Sequence, residues 1–112
     1  MHELSLCEAI AKTVVKHAGG KPVAEVAVRI GYLRQVVPDA LLFSWEMITS
    51  GSDLEGSTLA IEQVPAVVTC DVCGAETTLD MPIMLCGTCE ASTVTLVSGE
   101  EFQVVSLELA EA

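Results

Sequence analysis

Cys70, Cys73, Cys86 and Cys89 spell C-x2-C-x12-C-x2-C. Two tight turns that each carry a C-x2-C pair present four thiolates to one tetrahedral metal ion, the chemistry of a zinc site. Four thiolates with no histidine leave no open coordination position, so the set reads as structural and not catalytic. Gly74, behind the first pair, can take the positive φ that turns backbone N–H groups toward sulfur, and Gly87 inside the second can relieve crowding in its turn. Spacing does not separate zinc from a rubredoxin-type iron. Two disulfides or a thioredoxin-like pair fit less well, because no export signal precedes the cysteines and a reducing compartment disfavours disulfides. Cys7 stands apart and reads as a small buried hydrophobe.

A second set of donors lies at the start, MHELSLCE. An α-amine with a pKa of about 8 and an imidazole of about 6.5 both yield their protons to a metal near neutral pH. If the His2 backbone amide is also deprotonated, the amine, that amide nitrogen and His2 Nδ1 close one five-membered and one six-membered chelate ring. Three nitrogens in a plane suit Ni(II) or Cu(II) better than zinc. The fourth donor is open: the Glu3 amide, the Glu3 carboxylate or a group from another molecule. His17, the other histidine, falls in the last turn of the first helix, where a partial positive charge suits the helix dipole.

These donors need elements to hold them. Leu6, Ala9, Ile10, Val14 and Ala18 recur at helical spacing; Ser5 and Glu8 form an S-x-x-E capping box and Gly19-Gly20 ends the helix. This predicts a helix beginning at Ser5, with residues 1–4 as a short non-helical lead whose amides are unclaimed. Val26, Val28, Ile30 and Tyr32 alternate as a first strand within 22–33. Pro38 opens a second helix whose face is Leu41, Leu42, Trp45 and Ile48, ending near Ser50-Gly51. A second strand covers 58–64, with Leu59 and Ile61 on one face. A third covers 101–109, with Val105, Leu107 and Leu109 on one face. The fold class is α/β: two helices and a three-stranded sheet from 1–64 plus 98–112, interrupted by a zinc-ribbon-like lobe at 65–97. A lobe of roughly 30 residues cannot bury a core of its own, and zinc, worth on the order of 10–16 kcal/mol in small peptides, would replace one.

Composition narrows the function. At 112 residues the chain holds one domain and a small lobe, and 51% apolar residues with only 4% aromatics imply an interior of Val, Leu, Ile and Ala. Sixteen acidic against five basic residues give a net charge of −11, and not one Lys or Arg lies between Pro65 and Ser98. Such a surface repels phosphate backbones, which argues against nucleic acid. No apolar run is long enough to span a membrane, and charges replace a signal peptide's apolar stretch, so a cytoplasmic location is expected. No phosphate-cradling glycine loop, Ser/His/Asp set or histidine-rich tract is present, so neither an enzyme nor a bulk metal store is suggested.

M-H-E-L-S-L at the start, the middle stretch VVPDALLFSWEMITSGSDLEGSTLAIEQVPAVVTC and the paired cysteines together resemble the HypA/HybF family of nickel metallochaperones for [NiFe]-hydrogenase maturation. The resemblance spans nearly the whole chain. It implies an α/β nickel-binding domain containing the amino terminus, with His2 as principal nickel ligand and Met1 and Glu3 as further donors. It also implies zinc on Cys70, Cys73, Cys86 and Cys89. Its implied partners are a HypB-type GTPase and the hydrogenase large-subunit precursor; some members also serve urease. The competing reading is a zinc-ribbon interaction module for other proteins that uses no labile metal.

Overall fold

The computed structural model describes residues 2–110. The element order is α1 (His2–Ala18), β1 (Val23–Gly31), a 3-10 turn (Tyr32–Arg34), α2 (Pro38–Thr49), β2 (Thr58–Val64), β3 (Val67–Cys70), β4 (Glu76–Thr78), β5 (Val94–Ser98) and β6 (Phe102–Leu109). Two three-stranded sheets result, in the orders β2-β1-β6 and β4-β3-β5. The chain divides into two compact units. The first contains residues up to Arg29, Val36–Glu62 and residues from Gln103 on; the second contains Ile30–Gln35 and Gln63–Phe102.

In the first unit α1 buries Glu3, Cys7, Ile10, Val14 and Ala18, a stripe of helical period. The stripe runs through Cys7, leaving Leu6 half-buried and Ala9 exposed, so the apolar face is rotated from the one read off the sequence. Leu41, Trp45 and Thr49 are the buried residues of α2, and Leu42 stands out in solvent. Pro38 opens α2 because its missing N–H is no loss in a first turn. Trp45 can be buried because its indole N–H donates to Ser57 Oγ at 3.1 Å, and Ser57 in turn donates to the Leu54 carbonyl at 2.6 Å. Val26 and Val28 of β1 and Leu59 of β2 complete this core, while Val105 and Leu109 of β6 remain exposed.

Two expectations fail at element ends. α1 begins at His2 and not at Ser5: the Ser5 hydroxyl donates back to the His2 carbonyl at 3.1 Å, a bond made inside a helix, and no capping box forms. β1 stops at Gly31, and Tyr32 enters the 3-10 turn, which closes on Gln35 in the left-handed region at φ 53.

The second unit contains a small core after all. Ala66, Val68 and Leu79 are buried, with Tyr32, Leu33, Val94 and Leu96 packed against them. The residues that make this possible come from outside the cysteine segment: the 3-10 turn brings Tyr32 and Leu33, and the Tyr32 hydroxyl donates to the Asp80 carbonyl at 2.9 Å. Leu33 N–H donates to the Gly99 carbonyl at 2.8 Å. Gly31 and Gly99 allow this approach. A Cβ on Gly31 would lie 2.1 Å from the Gly99 carbonyl carbon, and one on Gly99, at φ 121, would lie 2.6 Å from Ala66 Cα. β3 sits between β4 and β5, antiparallel to both, and delivers Cys70 at its end.

Candidate metal centres

The two cysteine pairs fold as matching knuckles. In the first, the Val72 and Cys73 amides both donate to Cys70 Sγ at 3.3 Å. In the second, the Thr88 and Cys89 amides donate to Cys86 Sγ at 3.3 and 3.4 Å. The frames repeat as well: Cys70 N–H donates to the Ala75 carbonyl at 2.8 Å, and Cys86 N–H to that of Ala91 at 2.9 Å. Each knuckle turns out through a positive φ one residue past its second cysteine, at Gly74 (φ 77) and at Glu90 (φ 63). Glycine fills that place only once, so the second turn could not be read from glycines. Gly87 serves another purpose. Its N–H donates to Thr77 Oγ1 at 2.9 Å, and a Cβ there would press on Thr77 Cγ2 at 3.1 Å.

Cys70 Sγ lies 3.5 Å from Cys89 Sγ and Cys73 Sγ 3.6 Å from Cys86 Sγ, and all four sulfurs fall within 4.8 Å of one another. A tetrahedral zinc with Zn–S bonds of about 2.3 Å sets its sulfurs about 3.8 Å apart. The four therefore fit such an ion with little movement. Their protonation also favours a dication. The Cys89 amide, then that of Thr88, pulls the Cys86 thiol down to about 6, and the Cys73 amide leads in lowering Cys70. At Cys89 the Ala91 amide opposes, but the neighbouring Cys70 sulfur and burial prevail and push the thiol up to about 12. At Cys73 the Ala75 amide is likewise outweighed, chiefly by Cys86, and the thiol is raised. The Cys70 and Cys86 thiols are thus shifted toward the thiolate and those of Cys73 and Cys89 away from it.

The other donors stand at the head of α1. His2 is exposed, and its Nε2 lies 3.3 Å from Glu3 Oε2. Glu3 is buried, and Oε2 accepts the Val37 amide at 3.3 Å. That amide, and next the N–H of Glu3 itself, hold the carboxyl down at about 2. Nothing in the sequence marks Val37 for this part; it acts through its backbone, from the residue that leads into α2. Residues of a first helical turn lack intrahelical acceptors for their N–H groups. Residues 2–4, expected as a non-helical lead, are thus helical, and the Glu3 N–H meets its own carboxylate. Met1, whose amine was expected as a donor, lies outside the described residues.

Cys7 is fully buried and donates to the Leu41 carbonyl at 3.3 Å. Burial, with the Glu3 charge behind it, pushes its thiol up to about 11. It is the small core residue expected. His17, exposed in the last turn of α1, engages the Thr13 carbonyl through Nδ1 at 2.9 Å.

Residues 1–109 match the family model described as "Hydrogenase/urease nickel incorporation, metallochaperone, hypA". The chain belongs to the HypA family. Among curated HypA proteins, hydrogenase maturation factor HypA of Nostoc punctiforme is 37% identical over 111 residues, covering 99% of this chain and 97% of that protein. The HypA of Desulfosudis oleivorans is 40% identical over 119 residues, covering 99% of this chain and all of its own. The solution structure of the nickel metallochaperone HypA from Helicobacter pylori superposes with a TM-score of 0.66 at 20% identity, covering 96% of each chain, and so shares the fold. Among the described residues no helix is long and apolar enough to cross a membrane.

Proposed function

We propose that this HypA-family protein is a nickel metallochaperone that carries Ni(II) at its amino terminus and helps insert it into the [NiFe]-hydrogenase large subunit. In this reading the chain is a carrier and not an enzyme, works in the cytoplasm and hands its cargo on with a HypB-type GTPase. Its nickel end comprises 1–64 with 98–112, and zinc on Cys70, Cys73, Cys86 and Cys89 stabilises the lobe at 65–97.

The observation that supports this most is the pair at the head of α1, in a chain that matches a nickel-incorporation family from its first residue. A histidine that binds a metal through one ring nitrogen commonly gives the other ring N–H to a carboxylate, which fixes tautomer and orientation. With Nε2 turned to Glu3 Oε2, His2 keeps Nδ1 for the metal, the nitrogen that closes a six-membered ring with its own backbone amide. The Glu3 carboxylate, held by Val37, then works as a brace. A cation is disfavoured at a helix N-terminus by the dipole, and the ionised Glu3 offsets that.

Nickel titration of the untagged protein tests the reading. Wild type should take up one exchangeable nickel per chain beside one retained zinc. His2→Ala, and a chain extended by residues ahead of Met1, should lose the nickel and keep the zinc. Unchanged nickel uptake in both would reject it.

A further inference from the structure

Residues 81–85 read Met-Pro-Ile-Met-Leu, and the fold leaves them outside. Met81 is 58% exposed, Ile83 49%, Met84 37% and Leu85 41%. A slack loop is not the reason, because both ends of the segment are fastened within the second compact unit. Ahead of it, Leu79 is buried with its N–H on the Ala66 carbonyl at 2.8 Å, and the Asp80 carbonyl accepts the Tyr32 hydroxyl at 2.9 Å. Behind it, Cys86 N–H donates to the Ala91 carbonyl and Gly87 N–H to Thr77 Oγ1, each at 2.9 Å. In between, Ile83 N–H donates to the Met81 carbonyl at 2.7 Å and Leu85 N–H to the Ile83 carbonyl at 3.0 Å, so the segment bends twice on its own hydrogen bonds. A fixed run of exposed apolar residues is a liability unless something covers it.

The surroundings select what covers it. Met81, Ile83 and Leu85 line a groove of about 270 Å³, with Asp80 and Glu90 beside them. That is below the roughly 300–1,000 Å³ of a small-molecule site and suits one or two inserted side chains. The acidic residues between Pro65 and Ser98 are Asp71, Glu76, Asp80 and Glu90, all exposed, and no Lys or Arg follows Arg34 in the chain. A partner that sheds its water here must bring positive charge around an apolar centre. A second copy brings the same acidic surface and a net charge of −11, and an anionic membrane is repelled in the same way. An added strand would have to break bonds that the Ile83 and Leu85 N–H groups already make, so recognition falls to side chains. Methionine, unbranched and polarisable, moulds itself to the ridges of a helix.

We propose that the 81–85 segment is a docking surface for a cationic amphipathic helix of a partner protein. The apolar stripe of that helix enters the groove, and Lys and Arg on its flanks meet Asp80 and Glu90. The second compact unit then recognises a partner in addition to gathering its four cysteines.

The test uses the full chain loaded with zinc. The probe is a fluorescent helical peptide of Leu and Lys in amphipathic order, followed by anisotropy; a Leu/Glu peptide controls for charge and a Ser/Lys peptide for the apolar face. The Leu/Lys peptide should bind, and should shift the NMR amide signals of residues 79–87. Ile83→Ser and Met81→Ser, both at exposed positions and each checked for retained zinc, should weaken it by about tenfold, as should either control peptide against wild type. Phe43→Ser, at an exposed apolar residue of α2, should leave binding unchanged. No binding, equal binding of the Ser/Lys peptide, equal weakening by Phe43→Ser, or signal shifts confined to the first unit would overturn the proposal. So would a dimer in sedimentation that Ile83→Ser dissolves, which would make a second copy the occupant, or adsorption to phosphatidylcholine vesicles in place of the peptide. Nickel uptake should be the same in Ile83→Ser as in wild type, so the two proposals fail separately.

Discussion

Glu3 Oε2 lies 3.3 Å from His2 Nε2, so the carboxylate sits against the imidazole that the family resemblance marks for nickel. The same oxygen accepts the Val37 amide, which joins the head of α1 to the entrance of α2. One buried carboxylate therefore touches both groups, and the proposed brace and the helix-joining contact can be separated by experiment.

Glu3→Gln should weaken nickel binding by about tenfold, the lower end of what losing an orienting carboxylate costs a metal site. It should also reduce stability in a pH-dependent way. A carboxyl held near 2 in the folded state, against 4.5 ordinarily, adds stability that is complete above 4.5 and disappears as pH falls toward 2. Unfolding of metal-free wild type and Glu3→Gln, followed by Trp45 fluorescence, should differ at pH 7 and converge by about pH 2. Equal nickel affinity in the two proteins would remove the bracing role.

Cys7 should behave as core. Its thiol, pushed up to about 11 from 9.0, contributes stability that is complete below pH 9 and is lost as pH rises toward 11. At pH 8 a disulfide reagent should leave Cys7 unmodified in the folded protein and modify it fully in denaturant. Cys7→Ala should leave nickel and zinc stoichiometry unchanged and lower stability by about 1 kcal/mol.

Gly31→Ala should damage the second compact unit. Its new methyl group would stand 2.1 Å from the Gly99 carbonyl carbon and oxygen, and neither backbone atom can rotate away. A cost of about 1–3 kcal/mol is expected for such overpacking. It should be seen as faster loss of zinc to a chelator than in wild type, with nickel uptake at the amino terminus retained.

Mild acid should separate the metals. The proposed nickel donors are an amine, amides and an imidazole, which protons would reclaim below about pH 6.5, whereas four thiolates would hold zinc more tightly. Dialysis at stepped pH with both metals counted should show nickel leaving first. Simultaneous loss would argue for a shared site.

The periodic parts of this protein were legible because their signals are local. Pro38 opens α2, the alternation at 58–64 coincides with β2, and the C-x2-C spacing marks the residues whose sulfurs converge. Local signals mislead where tertiary contacts outweigh local chemistry. Ser5 and Glu8 have the types for a capping box, but Glu3 is drawn into the core by Val37 and carries the helix back to His2. Strands β3, β4 and β5, of four, three and five residues, are too short for alternation to announce them. The small core around Val68 depends on Tyr32 and Leu33, more than thirty residues away in sequence, and on Gly31, which read as one more strand residue.

Two metals in two different donor sets are the central claim, and X-ray absorption at the nickel and zinc edges of one doubly loaded sample examines both together. Nickel should show a nitrogen and oxygen shell of planar character with imidazole scattering, absent in His2→Ala, and zinc four sulfurs at about 2.3 Å. Sulfur in the nickel shell, or a nickel spectrum unaltered by His2→Ala, would contradict it.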